Sequence, residues 1–257
     1  MIYLLQYHQI TPNGSCSGTF VTPRIFESHI KELCKIGVKT LTRENYIDIL
    51  LHPKKENENF VLITFDDGYE NVYKYAFPVL EKYGLKGAVF PITAYIGRVN
   101  LWEVPFLGRH AHLSRSQIVE LHKAGWIIGS HTVTHPDLRK LDEQKLQMEL
   151  EVSKKSLEDI IGDEIQALSY PYGLYNTKVK KAVRDAGYNI AFKSAGKLKF
   201  PLDFLEVPRR SVYISDFFIS AKLNPAYEKY YILFERMANY FARLSPFYLT
   251  ISSKSTM

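Results

Sequence analysis

Two short polar motifs carry side chains of the kind that hold metal ions and move protons. The apolar run FVLITF ends at Asp66 and Asp67, and the run WIIGS ends at His131, with His135 four residues further on. Two adjacent carboxylates after a buried strand are costly to desolvate unless a cation or hydrogen-bond donors compensate. Because neighbouring residues project in different directions, one carboxylate can bind a metal while the other faces a substrate. An ordinary DDG turn, with both carboxylates in water, is the alternative interpretation.

The spacing of His131 and His135 brings two imidazoles together if the segment turns helically, as in helical zinc sites. A pair of surface or core histidines is the alternative. With one aspartate from a neighbouring strand end, however, the pair forms a set of two imidazoles and a carboxylate with open positions for water. This set favours a catalytic divalent metal, with Zn as first choice and Co, Ni or Fe as alternatives, and leaves the second aspartate as general base.

Strands and helices alternate along the chain so regularly that they predict parallel βα units, and the number of repeats favours a barrel over a short open sheet. In β/α barrels the residues that do chemistry lie at the C-terminal ends of the strands. Three further apolar runs also end in polar residues: IYLLQY ends at His8, ALS ends at Tyr170–Gly173, and FLEVP ends at Arg209. The fold therefore places these residues on the same rim as the two motifs.

Composition excludes several classes of function. The chain has 257 residues, of which 46% are hydrophobic and 23% are charged, as is ordinary for a soluble globular protein. The net charge is +6, but no basic cluster interleaved with aromatic residues accompanies it, so a nucleic-acid partner is not expected. Cys16 and Cys34 are too few for a disulfide framework or a cysteine metal site, which favours free thiols and leaves a single bridge open.

The N-terminal residues lack a basic region followed by a small-residue cleavage site, so no signal peptide is expected. No run approaches the roughly 18 apolar residues of a membrane span. These features predict a location in the cytoplasm or at the periphery of the membrane, and an exported form stays open.

Residues 216–257 are interpreted as an amphipathic helical extension that follows a barrel of residues 1–215. Its apolar residues have helical spacing: Tyr230, Leu233, Phe234, Met237, Tyr240, Phe241 and Leu244. Packing against the barrel is one interpretation of this stripe, and peripheral contact with a membrane interface is the other. The sequence gives no oligomeric state.

Three motifs in the same order resemble the first three motifs of a known family. TFDDGY (64–69), SHTVTHP (130–136) and SYPYG (169–173) resemble those of the polysaccharide deacetylase family, also called the NodB homology domain or carbohydrate esterase family 4. The resemblance extends from YHQIT to about Val212. It implies an irregular (β/α)7 barrel and metal-dependent hydrolysis of N-acetyl groups on the amino sugars of a glycan, with release of acetate.

The resemblance also implies roles for individual residues. Asp66 resembles the base that takes a proton from the metal-bound water, and Asp67, His131 and His135 resemble the metal ligands. Tyr172 resembles the residue whose backbone N–H helps form the oxyanion hole. Pro171 and Tyr172 are then expected to contact the glycan. Trp102, in the loop that also holds His110 and His112, is a candidate to stack on a sugar ring.

Two departures from the usual pattern concern charge and proton supply. Many members have an arginine where this chain has Ser169, and Arg209 is the candidate to pair with the base instead, a solvent-exposed arginine being the alternative. Most members place an acid histidine in a late strand, whereas this chain has no histidine after His135. A subset of exopolysaccharide-type deacetylases has a first strand ending in Tyr-His, and this resemblance makes His8 the proton donor.

Other functions stay open on the same residues. A catalytically weak glycan-binding relative would explain the two departures, and removal of O-acetyl groups or hydrolysis of another amide would use the same barrel. Two histidines and a carboxylate also form the facial triad of non-haem iron oxygenases, although the additional carboxylate and the βα alternation count against that class. His29, His52 and His122 are interpreted as surface or packing residues.

Overall fold

The computed structural model describes residues 1–12, 18–52, 58–99, 110–227, 229–233, 235 and 237. The strands in these residues are β1 (Ile2–Tyr7), β2 (Gln9–Ile10), β3 (Phe20–Val21), β4 (Val38–Thr40), β5 (Asn59–Asp67), β6 (Gly87–Pro91), β7 (Ile127–Ile128), β8 (Ala167–Ser169), β9 (Ile190–Ser194) and β10 (Val207–Ser211). The α-helices are α1 (Pro23–Lys35), α2 (Tyr46–Leu51), α3 (Phe77–Lys82), α4 (Arg115–Lys123), α5 (Glu143–Ile161), α6 (Thr177–Asp185) and α7 (Ile219–Leu223).

The main sheet is parallel and nearly closed. Its strand order is β7-β6-β5-β1-β10-β9-β8, and β4 pairs with the beginning of β5. A single bridge between Ser130, just after β7, and Leu168 in β8 joins the two edges. The predicted irregular β/α barrel is therefore confirmed. The first strand of the chain is the middle strand of this order, because β1 pairs with β5 on one side and with β10 on the other.

Alternation along the strands separates the inside of the barrel from its outer layer. On β1, Leu4 belongs to an inner apolar cluster with Leu62 and Phe192, whereas Leu5 belongs to the outer cluster that packs against the helices. Toward the C-terminal ends of the strands the inward positions become polar, as at Gln6, Thr64, Asp66, Arg209 and Ser211, all of them buried. This change from apolar to polar builds a site at the C-terminal rim.

Helices α1 and α4 begin at capping residues that the sequence supplies. Thr22 Oγ1 accepts a hydrogen bond from the Ile25 N–H at the start of α1, and Pro23 fills the first helical position. Ser114 and Gln117 form a capping box at the start of α4. Each helix then buries one apolar face against the sheet; that of α1 consists of Phe26, Ile30 and Leu33.

The predicted C-terminal extension begins by packing against the barrel. In α7, Ile219 and Leu223 belong to the outer apolar cluster. Residues 229–233 are helical again, and Tyr230 and Leu233 are 73% and 61% exposed. Phe234, Tyr240, Phe241 and Leu244 of the predicted stripe lie outside the described side chains. No helix within the described ranges is both long and apolar enough to cross a bilayer.

Candidate active site

A buried ion pair lies at the centre of the rim. Arg209 Nη1 donates to Asp66 Oδ1 at 2.8 Å and Nη2 donates to Oδ2 at 2.7 Å, and each residue is only 1% exposed. The guanidinium packs against the rings of Phe90 and Phe192, which contact each other edge to face, and its centre is 5.4 Å from each ring centroid. Two parallel hydrogen bonds and two aromatic faces fix this arginine rigidly.

Two neutral side chains complete the contacts of Asp66. Gln6 Nε2 and Ser169 Oγ donate to Asp66 Oδ2 at 2.7 and 2.9 Å. Ser169 Oγ also accepts from Arg209 Nη2 at 2.8 Å, so the serine and Arg209 contact the same carboxylate oxygen. Burial alone would raise the pKa of Asp66, but the charges of Arg209 and the neighbouring His131 outweigh it and hold that pKa well below its usual range.

Asp67, His131 and His135 offer three ligand atoms that all lie within 4.8 Å of one another. His131 Nδ1 lies 2.7 Å from the Ser169 carbonyl oxygen, and its Nε2 lies 3.5 Å from Asp67 Oδ1. His135 Nε2 lies 3.8 Å from the same oxygen. A histidine whose second nitrogen donates to a carbonyl is a typical metal ligand.

Burial lowers the pKa of both histidines. They are therefore neutral at neutral pH, which is the protonation state that binds metal. Two neutral imidazoles and one carboxylate fit a divalent ion such as Zn.

The two histidines do not meet through a helical turn, and that prediction is wrong. Residues 131–137 form an irregular loop in which Thr132 and His135 adopt left-handed backbone angles, φ 68° and φ 62°. The Thr132 N–H donates to Ser130 Oγ, and the His135 N–H donates to Thr132 Oγ1. These contacts bring the imidazole centroids to 4.7 Å. Asp67 and Tyr172 are also left-handed, so strained backbone concentrates at this rim.

Glu149 on α5 holds the histidine loop from behind. Its Oε2 accepts from the Val133 N–H at 2.8 Å and from the Thr134 N–H at 2.9 Å, and its Oε1 accepts from Thr134 Oγ1 at 2.6 Å. Glu149 itself is 4% exposed. One buried carboxylate thus satisfies three donors in the segment that lies between the two metal-ligand candidates.

Replacement of Glu149 by alanine should weaken Zn binding by roughly tenfold or more, because residues that orient ligands typically contribute 10- to 100-fold. It should also lower the free energy of unfolding by about 1–3 kcal/mol, since two loop N–H groups lose their acceptor. Calorimetric Zn titration and thermal unfolding measure the two effects. Glu151→Ala, on the exposed face of the same helix, is the matched control. Equal Zn affinity in the two variants would contradict this role.

The structure places His8 beside this site. Its Nδ1 atom is buried and has no hydrogen-bond partner among the described residues. Burial lowers the pKa of His8 to about 4, while the charge of Asp66 opposes that shift and those of His131 and Arg209 add to it. His8 also acts electrostatically on His135. The His8 imidazole, which directly follows β1, therefore lies at the same rim as the Asp66 carboxylate and the metal-ligand candidates.

The third motif lines the other side. Pro171 is buried, and the Tyr172 ring centroid lies 4.5 Å from that of His135. Burial raises the pKa of the Tyr172 hydroxyl to about 12. His112 is buried, and its Nδ1 lies 3.0 Å from the Asp67 carbonyl oxygen, so it contacts the backbone of a ligand candidate. Trp102, predicted to stack on a sugar, lies outside the described residues.

Sequence reasoning missed several residues of the site. Gln6 and Glu149 have no motif around them, and Thr64 opens the TFDDGY motif but was given no role. Each of the three contacts a partner at least 15 positions away along the chain. The available signal was a polar residue at an inward position of an apolar strand, as Gln6 is in IYLLQY. His29, interpreted as a packing residue, is fully buried, with ring nitrogens 3.1 Å from Tyr7 Oη and 2.6 Å from the Asp216 carbonyl oxygen.

The fold, the residues at the rim and the three motifs together indicate the protein family. Residues 53–191 match the polysaccharide deacetylase family, and this chain belongs to it.

One relative is the Bacillus subtilis (strain 168) protein YxkH, which is named as a polysaccharide deacetylase. It is 37% identical over 187 residues, and the match covers 73% of this chain and 62% of that protein. A Staphylococcus aureus (strain MRSA252) poly-beta-1,6-N-acetyl-D-glucosamine N-deacetylase is 29% identical over 188 residues, covering 68% and 61%. The chain thus spans about three fifths of the length of these relatives.

Two solved structures share the fold. IcaB from Ammonifex degensii superposes with a TM-score of 0.70 at 26% identity, covering 84% of this chain and 93% of that one. The Streptococcus pyogenes deacetylase PplD, in complex with acetate, gives a TM-score of 0.72 at 24% identity, covering 83% and 93%.

Proposed function

We propose that this protein is a metal-dependent N-deacetylase that removes acetyl groups from N-acetylglucosamine residues of a polysaccharide, with Zn as the metal. The observation that carries the proposal is the adjacency of two units at one rim, the Asp66–Arg209 pair and the cluster of Asp67, His131 and His135. The sugar follows from the poly-beta-1,6-N-acetyl-D-glucosamine deacetylase among the relatives.

In this proposal Asp67, His131 and His135 would hold the ion, which would supply Lewis-acid polarisation of the acetyl carbonyl and a lower pKa for the attacking water. Asp66 stays ionised because its pKa is low, and it accepts the proton of that water as the oxygen attacks the acetyl carbon. The Tyr172 backbone N–H would donate a hydrogen bond to the oxyanion. The C–N bond then breaks, acetate leaves, and the amine needs a proton.

Acetate release from β-1,6-linked N-acetylglucosamine oligomers, measured with Zn-loaded protein, tests the proposal. We expect acetate and free amine in equal amounts, with loss of turnover on chelation and recovery on addition of Zn. Oligomer binding without acetate release would instead favour a glycan-binding protein. Turnover of O-acetylated but not N-acetylated sugars would favour an esterase.

Replacement of His8 by alanine should retain the fold and the bound metal yet lower turnover roughly 10²- to 10⁴-fold, the usual contribution of a general acid. With its pKa near 4, His8 is neutral in the resting site and becomes a donor only after it takes up a proton during the reaction. Rates of acetate release and metal content are the measurements, with His52→Ala as a surface control. Unchanged turnover would remove His8 from the mechanism.

Contact with a membrane surface is a separate part of the proposal. Tyr230, Leu233 and Met237 have helical spacing on one face and are 73%, 61% and 54% exposed. The wild-type protein should cosediment with anionic phospholipid vesicles, and the double variant Leu233→Ser/Met237→Ser should bind several-fold less. Met148→Ser/Val152→Ser is the control, because these two apolar residues on α5 are also exposed, at 51% and 46%. Equal binding by the two double variants would contradict this contact.

A further inference from the structure

A series of buried polar contacts connects Asp66 with Glu235 in the C-terminal helix, by which we mean the helical residues 229–233, 235 and 237. Gln6 Nε2 donates to Asp66 Oδ2 at 2.7 Å, and Ser211 Oγ donates to Gln6 Oε1 at 2.9 Å. The Ser211 N–H in turn donates to Glu235 Oε1 at 2.8 Å. The four side chains belong to residues that are at most 3% exposed. A residue of the extension is thus linked to the candidate base through two intervening residues.

Only one orientation of the Gln6 amide satisfies both of its neighbours. An ionised carboxylate accepts hydrogen bonds and donates none, so Asp66 must face the NH₂ group of Gln6. The amide oxygen then faces Ser211, whose hydroxyl donates to it. Because Gln6 and Ser211 are paired in the register of β1 and β10, the strand pairing itself holds these two side chains together.

The consequence for Asp66 is an unequal use of its two oxygens. Oδ2 accepts from Gln6, Ser169 and Arg209 Nη2. Oδ1 accepts from Arg209 Nη1, and no second donor to it is found among the described residues. Since each carboxylate oxygen has two lone-pair sites, Oδ2 is fully occupied and Oδ1 keeps a site for one more proton donor.

Glu235 is the last residue in this series of contacts, at the end farthest from Asp66. The described neighbours Leu233 and Met237 are 61% and 54% exposed, whereas the carboxylate of Glu235 is buried at 1%. This helix therefore turns an ionisable side chain inward and apolar side chains outward. Glu235 holds the backbone of Ser211, the last residue of β10, at a point two residues from Arg209.

We propose that Gln6, oriented by Ser211 and Glu235, is a positioning residue that reserves Asp66 Oδ1 for the proton of the attacking water. The C-terminal helix is then a supporting part of the catalytic site. This inference rests on the function proposed above for Asp66.

Replacement of Gln6 by methionine keeps the volume and removes both hydrogen bonds. We expect kcat for acetate release to fall roughly tenfold or more, because a hydrogen bond to a charged group is lost, while KM for the oligomer and the Zn content stay unchanged. Thr40→Val is the structural control: it removes the partly buried hydrogen bond that Thr40 Oγ1 accepts from the Lys86 N–H, far from the rim. It should lower the melting temperature and leave kcat intact.

Two matched pairs of variants, at Ser211 and at Glu235, test the positioning role even if the Gln6 variant unfolds. Ser211→Ala and Glu235→Ala should each lower kcat roughly threefold or more and speed hydrogen exchange at residues 207–212. Ser211→Thr, which keeps the hydroxyl, and Glu235→Gln, which keeps an acceptor, should recover most of both losses.

Wild-type kcat in both alanine variants would overturn the positioning role. An inactive Zn-loaded wild-type protein would overturn the proposed function instead, so the two failures are distinguishable.

Discussion

Replacement of Asp66 by asparagine should reduce acetate release about 10³-fold, within the range expected for loss of a general base. Asparagine has nearly the same shape but accepts no proton from water at neutral pH. Zn should still bind with wild-type stoichiometry, because Asp67, His131 and His135 are unchanged. Single-turnover acetate release and metal content measure the two properties. Substantial turnover in this variant would contradict the assignment of Asp66 as the base.

The same change should also destabilise the protein, by about 3–5 kcal/mol, since it leaves the Arg209 guanidinium buried without its counter-charge. The second change Arg209→Met removes that stranded charge, so the double variant should regain stability without regaining activity. Denaturant unfolding of the two variants therefore separates the structural from the chemical role of Asp66.

The pH dependence of stability follows from the same pair. The folded pKa of Asp66 is depressed, so its stabilising contribution is fully present above the ordinary aspartate pKa of about 3.9 and is lost as pH falls through the lower folded value.

Loss of either histidine ligand should have the second large effect. His131→Ala or His135→Ala removes one of three donors, and Zn affinity should fall by more than the 10- to 100-fold typical of residues that only orient ligands. Acetate release should fall with it at limiting Zn. Metal content after dialysis and calorimetric titration are the measurements. His52→Ala, an exposed histidine paired with Asp48, is the control. Stoichiometric Zn in the double variant His131→Ala/His135→Ala would place the metal elsewhere.

The rim was predictable because its main residues follow apolar runs directly. A β/α barrel brings strand ends together, so the sequence predicts that Asp66, Asp67, His131 and Arg209 meet at one rim. The resemblance to exopolysaccharide-type deacetylases predicts that the first strand brings His8 to the rim, but neither it nor the alternation of strands and helices gives the strand order. The structure puts β1 between β5 and β10, and His8 at the same rim.

Contacts between positions far apart in the chain could not be predicted from the sequence. Glu149 supports the histidine loop from α5, and Gln6 meets Asp66 across 60 residues, without a local pattern at either place. The helical turn expected for His131 and His135 was wrong for a related reason. Donors and acceptors from Ser130 and Glu149 stabilise left-handed backbone that periodicity does not predict.

The central position of β1 also sets an order of assembly during synthesis. The three metal-ligand candidates lie within the first 135 residues, but Arg209 follows Asp66 by 143 positions. Until β10 emerges and inserts beside β1, the Asp66 carboxylate has no partner charge, and enclosing it in a dry barrel would be costly. The growing chain can therefore gather its metal donors early, whereas the pocket that excludes water closes only when β10 arrives. Completion of the barrel and completion of the catalytic centre are then one late folding event.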